Sequence, residues 1–127
     1  MNQKEIEQKK IIQEWLEKAN ADLHSAEIIL KESKYYEITV YHAHQAVENF
    51  FKAKLLESGK TFKFIHDLNS LYFQVIEILP VREHEEDISF LNSLYPKLRY
   101  PTGEYVERDE AEKALSIARR IVKTSDK

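Results

Sequence analysis

Apolar residues recur along the chain at steps of three and four, the interval of a helix face, in five separate stretches. The first runs from about Ile6 to Glu32, with Ile12, Trp15, Leu16, Ala19, Leu23, Ala26 and Leu30 drawing one stripe. Lys4, Glu5, Lys9 and Lys10 lie ahead of that stripe and are expected to fray. The second runs from about Tyr35 to Ser58, with Val40, Ala43, Val47, Phe50, Phe51 and Leu55 apolar, Ala46 and Ala53 beside them, and Gly59 as a stop. Asp67 is placed to cap a third helix, because its carboxylate can accept the free amides of a first turn. Leu68, Leu71, Tyr72, Val75 and Leu79 follow, and Pro80 ends the helix. A fourth, shorter helix is predicted over Arg82 to Tyr95 with Ile88, Leu91 and Tyr95 on one side, followed by a loop from Pro96 to Val106. The last starts near Asp109, which has capping-box spacing to Glu112, and carries Ala111, Ala114, Leu115, Ala118, Ile121 and Val122 inward. The pattern predicts an all-α, up-and-down bundle of about five helices with a four-helix-bundle-like core, residues 1–127 forming one domain.

Composition supports this picture. With only 2 Gly and 3 Pro, the chain lacks the turn residues a compact β protein needs. A formal net charge of −3 argues against general electrostatic binding to nucleic acid or anionic membrane, and leaves a local basic site open. There is no Cys, so disulfides and thiolate zinc sites are excluded. The polar segment Met1 to Lys10 has no signal-peptide core, and no apolar run approaches the ~20 residues of a membrane helix. A cytoplasmic location away from membranes is expected.

Candidate chemistry concentrates on the second helix. Tyr41, Gln45, Glu48 and Lys52 follow at steps of four, three and four, and His44 lies four before Glu48, so these polar groups share a face. Such a face can bind something polar; spacing alone favours the plainer reading of a solvated surface with an i,i+4 ion pair. His42 and His44 point apart and cannot hold one metal, there is no His-Glu-x-x-His pattern, and nothing supplies a third ligand to His44 and Glu48; no metal and no cofactor are expected. His66, just before Asp67, reads either as a brace for the chain leading into the third helix or as a functional imidazole. Arg99, with Tyr100 and Pro101, reads either as a phosphate-gripping guanidinium or as a tie to a neighbouring carboxylate. No Gly-rich phosphate loop, nucleophile elbow or thiol nucleophile is present.

The segment His42-Ala43-His44-Gln45-Ala46-Val47-Glu48-Asn49-Phe50-Phe51-Lys52-Ala53 resembles the central helix of the HEPN domain, named for higher eukaryotes and prokaryotes nucleotide-binding. Trp15 to Leu30, with Ala19, Asp22, Leu23 and Ala26, is similar to that family's first helix. His66-Asp67-Leu68 matches the loop before its third helix, Arg99-Tyr100-Pro101 a loop of one prokaryotic stand-alone branch, and Ala111 to Ile121 the closing helix. The resemblance implies a helical bundle that forms homodimers, binds a nucleotide or RNA, and is often paired with a small nucleotidyltransferase in a toxin–antitoxin-like set. It makes Arg99, Tyr100, Lys52, Gln45, His44, Glu48 and His66 candidate ligand-binding residues, with no catalytic residue assigned.

Some members of that family are metal-independent ribonucleases that carry an Arg followed, after four to six residues, by a His. Here the eligible positions after Arg99 are Glu104, Tyr105 and Val106, those after Arg82 are Asp87, Ile88 and Ser89, and no His follows His84. The cation that would steady a phosphorane is present, while the adjacent proton-transfer group is missing. The expected function is therefore a dimeric binding module, with a divergent ribonuclease using His44 or His66 and a purely structural dimerisation bundle as alternatives.

Overall fold

A computed structural model of the chain describes residues 1–62, 67–99 and 105–123. Among them are five α-helices and no strand: α1 (Gln3–Glu32), α2 (Tyr36–Glu57), α3 (Leu68–Val75), α4 (Glu85–Arg99), preceded by a 3-10 turn at Arg82–His84, and α5 (Arg108–Val122).

Local chemistry sets the ends, in places differently from the expectation. The charged segment Lys4 to Lys10 is helical, because Asn2 caps α1: its Oδ1 accepts the Glu5 N–H at 2.9 Å. Gly59, at φ +82°, closes α2 by turning its own N–H onto the Leu56 carbonyl and the Lys60 N–H onto the Leu55 carbonyl, the paired bonds of a Schellman motif. Asp67 caps α3 as expected, accepting the Asn69 N–H at 3.0 Å, while Asn92 of α4 accepts the Leu68 N–H at 3.2 Å. α3 stops at Val75, short of Pro80; a turn closed by Ile78 and Leu79 N–H groups on the Val75 carbonyl follows.

α4 extends the expected helix through Pro96 to Arg99. Pro96 lies in its last turn, where the missing N–H forfeits only the bond to the Asn92 carbonyl. α5 starts at Arg108, and its capping box is Glu107 with Glu110, whose Oε1 accepts the Glu107 N–H at 3.0 Å. Glu112 instead takes Arg108 at 2.8 Å. Val106 before the cap and Ala111 inside the helix are both buried, the two positions whose packing fixes the direction of approach to a helix.

α2 is the centre of the bundle. It packs against α1, α3, α4 and α5, and most of its side chains are buried. Ala43, Ala46 and Ala53 of α2 and Ala19 and Ala26 of α1 are fully buried, which lets neighbouring backbones approach, and Phe50 and Phe51 fill the remaining volume. The α1–α2 pair carries a polar clasp. Asp22 accepts the Asn49 amide at 2.9 Å on one carboxylate oxygen and pairs with His42 Nδ1 at 2.9 Å on the other. An ionised carboxylate only accepts, so Nδ1 bears the proton.

Tyr72 fixes the far end of the bundle. Its buried hydroxyl lies 2.8 Å from the Val81 carbonyl and 2.9 Å from the Arg82 carbonyl, donating to that pair. Burial, and then the charge of Glu85, push its pKa above the usual phenol value, against a smaller opposing effect of Arg82.

Two outcomes follow. Tyr72→Phe costs about 1 kcal/mol in urea unfolding at neutral pH. A phenol with a raised folded pKa contributes stability that is fully present below its unfolded value and lost as pH rises, so the wild type weakens above about pH 10 and the gap to Tyr72→Phe closes there. Asp22→Ala, which strips both clasp donors of their acceptor, costs about 2–3 kcal/mol by the same measurement; a loss below about 0.5 kcal/mol would show that the clasp does not hold α1 on α2.

Candidate functional site

Three polar side chains of α2, one turn apart, are sealed into the bundle. His44 and Glu48 are 1% exposed and Lys52 is 4% exposed. Lys52 Nζ donates to Glu48 Oε2 at 3.1 Å, and His44 Nδ1 lies 3.9 Å from Glu48 Oε1. The solvated surface that spacing favours is thus not what forms. The i,i+4 pair is real, but α2's central position places it in the interior, where removing two charges from water is expensive and a mutual ion pair returns part of that cost.

Aromatic rings complete the enclosure. Lys52 Nζ stands 5.4 Å from the Trp15 ring centroid and 5.3 Å from that of Phe62, and these two rings meet edge to face at 5.5 Å. A cation at that distance from a π face is stabilised by the ring quadrupole, more strongly when desolvated. On the other flank, the His44 imidazole packs against Tyr95 of α4, centroids 4.9 Å apart and planes inclined at 36°. Tyr95 is one turn before Arg99, the last residue of α4, so the His44 end of the cluster packs against the turn leading to Arg99.

The structure brings together His44, Glu48 and Lys52 of the residues singled out from sequence. Gln45 is half-buried on the same helix, and its Oε1 is buried without a hydrogen-bond partner among the described residues. Tyr41 is exposed, its ring edge against His42. The Arg99 side chain, Tyr100 and His66 lie outside the described residues. Sequence reasoning missed two participants. Trp15 reads as one more apolar position of the α1 stripe, although its half-buried place at the edge of that stripe is occupied by contact with Lys52. Phe62 falls in the stretch 60–66, where Phe64 and Ile65 are also apolar and no helical period singles it out. No group of three or more His, Asp or Glu among the described residues is arranged to hold a metal, and no helix among them is long and apolar enough to cross a membrane.

Known proteins share this arrangement of helices. The chain is similar in structure to TT1696 from Thermus thermophilus, at 27% identity and a TM-score of 0.78, over 91% of this chain and 95% of that one. It is also similar to ST0689, an archaeal HEPN homologue, at 25% identity and a TM-score of 0.70, over 91% of this chain and 98% of that one. No curated protein matches. The family model for the HEPN domain matches residues 12–127, which takes in every residue of the buried cluster and both sides of the Asp22 clasp; the chain belongs to the HEPN domain family.

Proposed function

We propose that the chain acts in the cytoplasm as a homodimeric module that binds a nucleotide or an RNA phosphate beside the α2 cluster and docks a small nucleotidyltransferase in a toxin–antitoxin-like pair. In this reading Arg99, Tyr100 and His66 bind the phosphate, Gln45 lines the site, and the sealed His44, Glu48 and Lys52 form the polar backing behind it. The observation that carries this reading is the buried Glu48–Lys52 pair beside His44. Apolar side chains of similar volume would serve a purely structural helix as well or better, so charges kept in the middle of α2 point to a retained role other than packing. Gln45 Oε1, an acceptor without a partner among the described residues, adds a group that a ligand donor can satisfy.

Calorimetry with mononucleotides and short RNAs tests the proposal, with and without a candidate nucleotidyltransferase. The expected result is phosphate-dependent binding that Arg99→Ala abolishes at a stability cost within about 1–2 kcal/mol. Absence of binding to the chain and to its complexes overturns it. Lys52→Met lowers stability by about 3 kcal/mol, since the buried carboxylate loses this ammonium, whereas Glu48→Leu combined with Lys52→Met recovers most of that loss and still impairs binding.

A divergent metal-independent ribonuclease is the second reading, favoured by the contact of His44 with Tyr95, one turn from Arg99. At 1% exposure, however, the imidazole is not open to a substrate proton. Purified protein is expected to leave short RNAs intact with or without chelator; cleavage that disappears on both Arg99→Ala and His44→Gln would reverse the order of the two readings.

A further inference from the structure

Among the described residues, two histidines hold a ring nitrogen against an aspartate: His42 Nδ1 on Asp22 at 2.9 Å and His84 Nδ1 on Asp87 at 3.0 Å. Their second nitrogens differ. His84 is nearly closed, with 11% of its side chain exposed, and its Nε2 lies 3.7 Å from the Glu83 carboxylate. The His42 side chain is 26% exposed, and its Nε2 has neither a hydrogen bond nor an ion pair among the described residues. Asp22 is itself fixed, because its other oxygen accepts the Asn49 amide at 2.9 Å. With the proton held on Nδ1, Nε2 carries the lone pair. The ring sits at an accessible edge of the α1–α2 pair, meeting the exposed Tyr41 edge-on and lying one turn from the exposed Ile38. It turns toward α1, whereas His44 turns toward Tyr95 of α4, so it is no part of the buried cluster. Nor does it belong to a group of three or more His, Asp or Glu among the described residues that could hold a metal.

We propose that His42 Nε2 is a phosphoryl-acceptor site, a nucleophile that takes a phosphoryl group from a small acyl phosphate or phosphoramidate donor. A neutral imidazole suits this reaction because its attacking nitrogen has no proton to lose, so no separate general base is needed, as a Ser or Thr hydroxyl would require. In the transfer, the Nε2 lone pair forms the new P–N bond while the bond from phosphorus to the donor's leaving group breaks. An acyl phosphate departs as a carboxylate; phosphoramidate departs as ammonia, taking a proton from water. The ring gains positive charge as the bond forms, with its own proton still on Nδ1, and Asp22 already stands where that charge develops. The product is an Nε2-phosphorylated imidazolium paired with Asp22. At His84 the Glu83 carboxylate beside Nε2 repels the same anionic donor. The proposal is independent of ligand binding beside the buried cluster.

His24 supplies an internal control, since it is exposed and has no hydrogen bond or ion pair among the described residues. The purified full chain is treated with phosphoramidate at neutral pH. Mass spectrometry without acid treatment maps the modified residues, and phosphorus NMR separates Nε2-phosphohistidine from the Nδ1 isomer. The expected result is modification of His42 at Nε2, about tenfold faster than of His24, the rate equivalent of one charge-assisted hydrogen bond. The preference disappears in urea, where Asp22 and His42 separate. It also falls in Asp22→Asn, which keeps an acceptor for Nδ1 and removes the charge, and His42→Gln removes the product. The comparison of two histidines within the unaltered protein needs no variant to fold. Equal rates at His42 and His24 in the folded chain, modification of His42 at Nδ1, or a preference that persists in urea or in Asp22→Asn overturns the proposal.

Discussion

A carboxylate, an ammonium and an imidazole stand on a helix that four other helices enclose, and the rest of the bundle answers to that constraint. Desolvated charge is tolerated only where partners are close and correctly placed. Glu48 and Lys52 meet this locally through their i,i+4 spacing, which aligns them without help from another element. The rings of Trp15 and Phe62 then cover Lys52, and Tyr95 covers His44. Three separate segments are thus committed to one face of α2. The Asp22 clasp belongs to the same interface, because it ties to α2 the same helix α1 that brings Trp15 to Lys52.

The apolar core follows the same register. Small residues lie where α1 and α2 approach, and the large ones, Phe50, Phe51, Leu71, Ile88 and Ile117, fill the space between α2 and the other helices. Interiors packed to crystal-like density transmit displacement, so a shift of α4 against α2 moves Tyr95 against His44 and carries the Arg99 end of α4 with it. Additional ties limit that freedom: Lys97 to Glu110 at 3.2 Å joins α4 to α5, and Asp87 receives both His84 at 3.0 Å and Arg120 at 3.6 Å. The segment leading to Arg99 is braced from two sides.

How much of this was legible in the sequence depended on whether the signal was periodic. The apolar stripes gave the five helices and their buried faces, since a helical period averages over many residues and survives local exceptions. Boundaries failed where a single bond decides. Asn2 extends α1 through a charged segment, Pro96 is tolerated because it falls in a last turn, and Glu107 wins the cap of α5 from Asp109 because Val106 is buried beside it. The polar groups of α2 were visible, but their burial was not: an i,i+4 pair has the same spacing on a surface helix and on a central one. Only the surroundings of α2, a property of tertiary arrangement, separate the two. Trp15 and Phe62 are far apart in the sequence, and no local pattern links an aromatic on a helix to one in an aperiodic stretch.

Burial also bears on why binding is the better reading than cleavage. A general base must reach the proton it removes, within hydrogen-bond distance or through one water. Of the two histidines on α2, His44 is closed in by Tyr95 and by the bundle, while the partly exposed His42 has its Nδ1 committed to Asp22 on the α1 side. The family's ribonuclease pattern instead needs an imidazole a few residues beyond Arg99, and the sequence supplies Glu104, Tyr105 and Val106 there. None of these residue types matches an imidazole, the side chain suited to proton transfer near neutral pH. What remains well formed is an enclosed, charge-balanced wall with aromatic rings at one end and the last turn of α4 at the other. That arrangement suits the proposed role of holding a ligand, which needs no proton moved, and a rigid wall, which would hinder a reacting imidazole, favours selective binding.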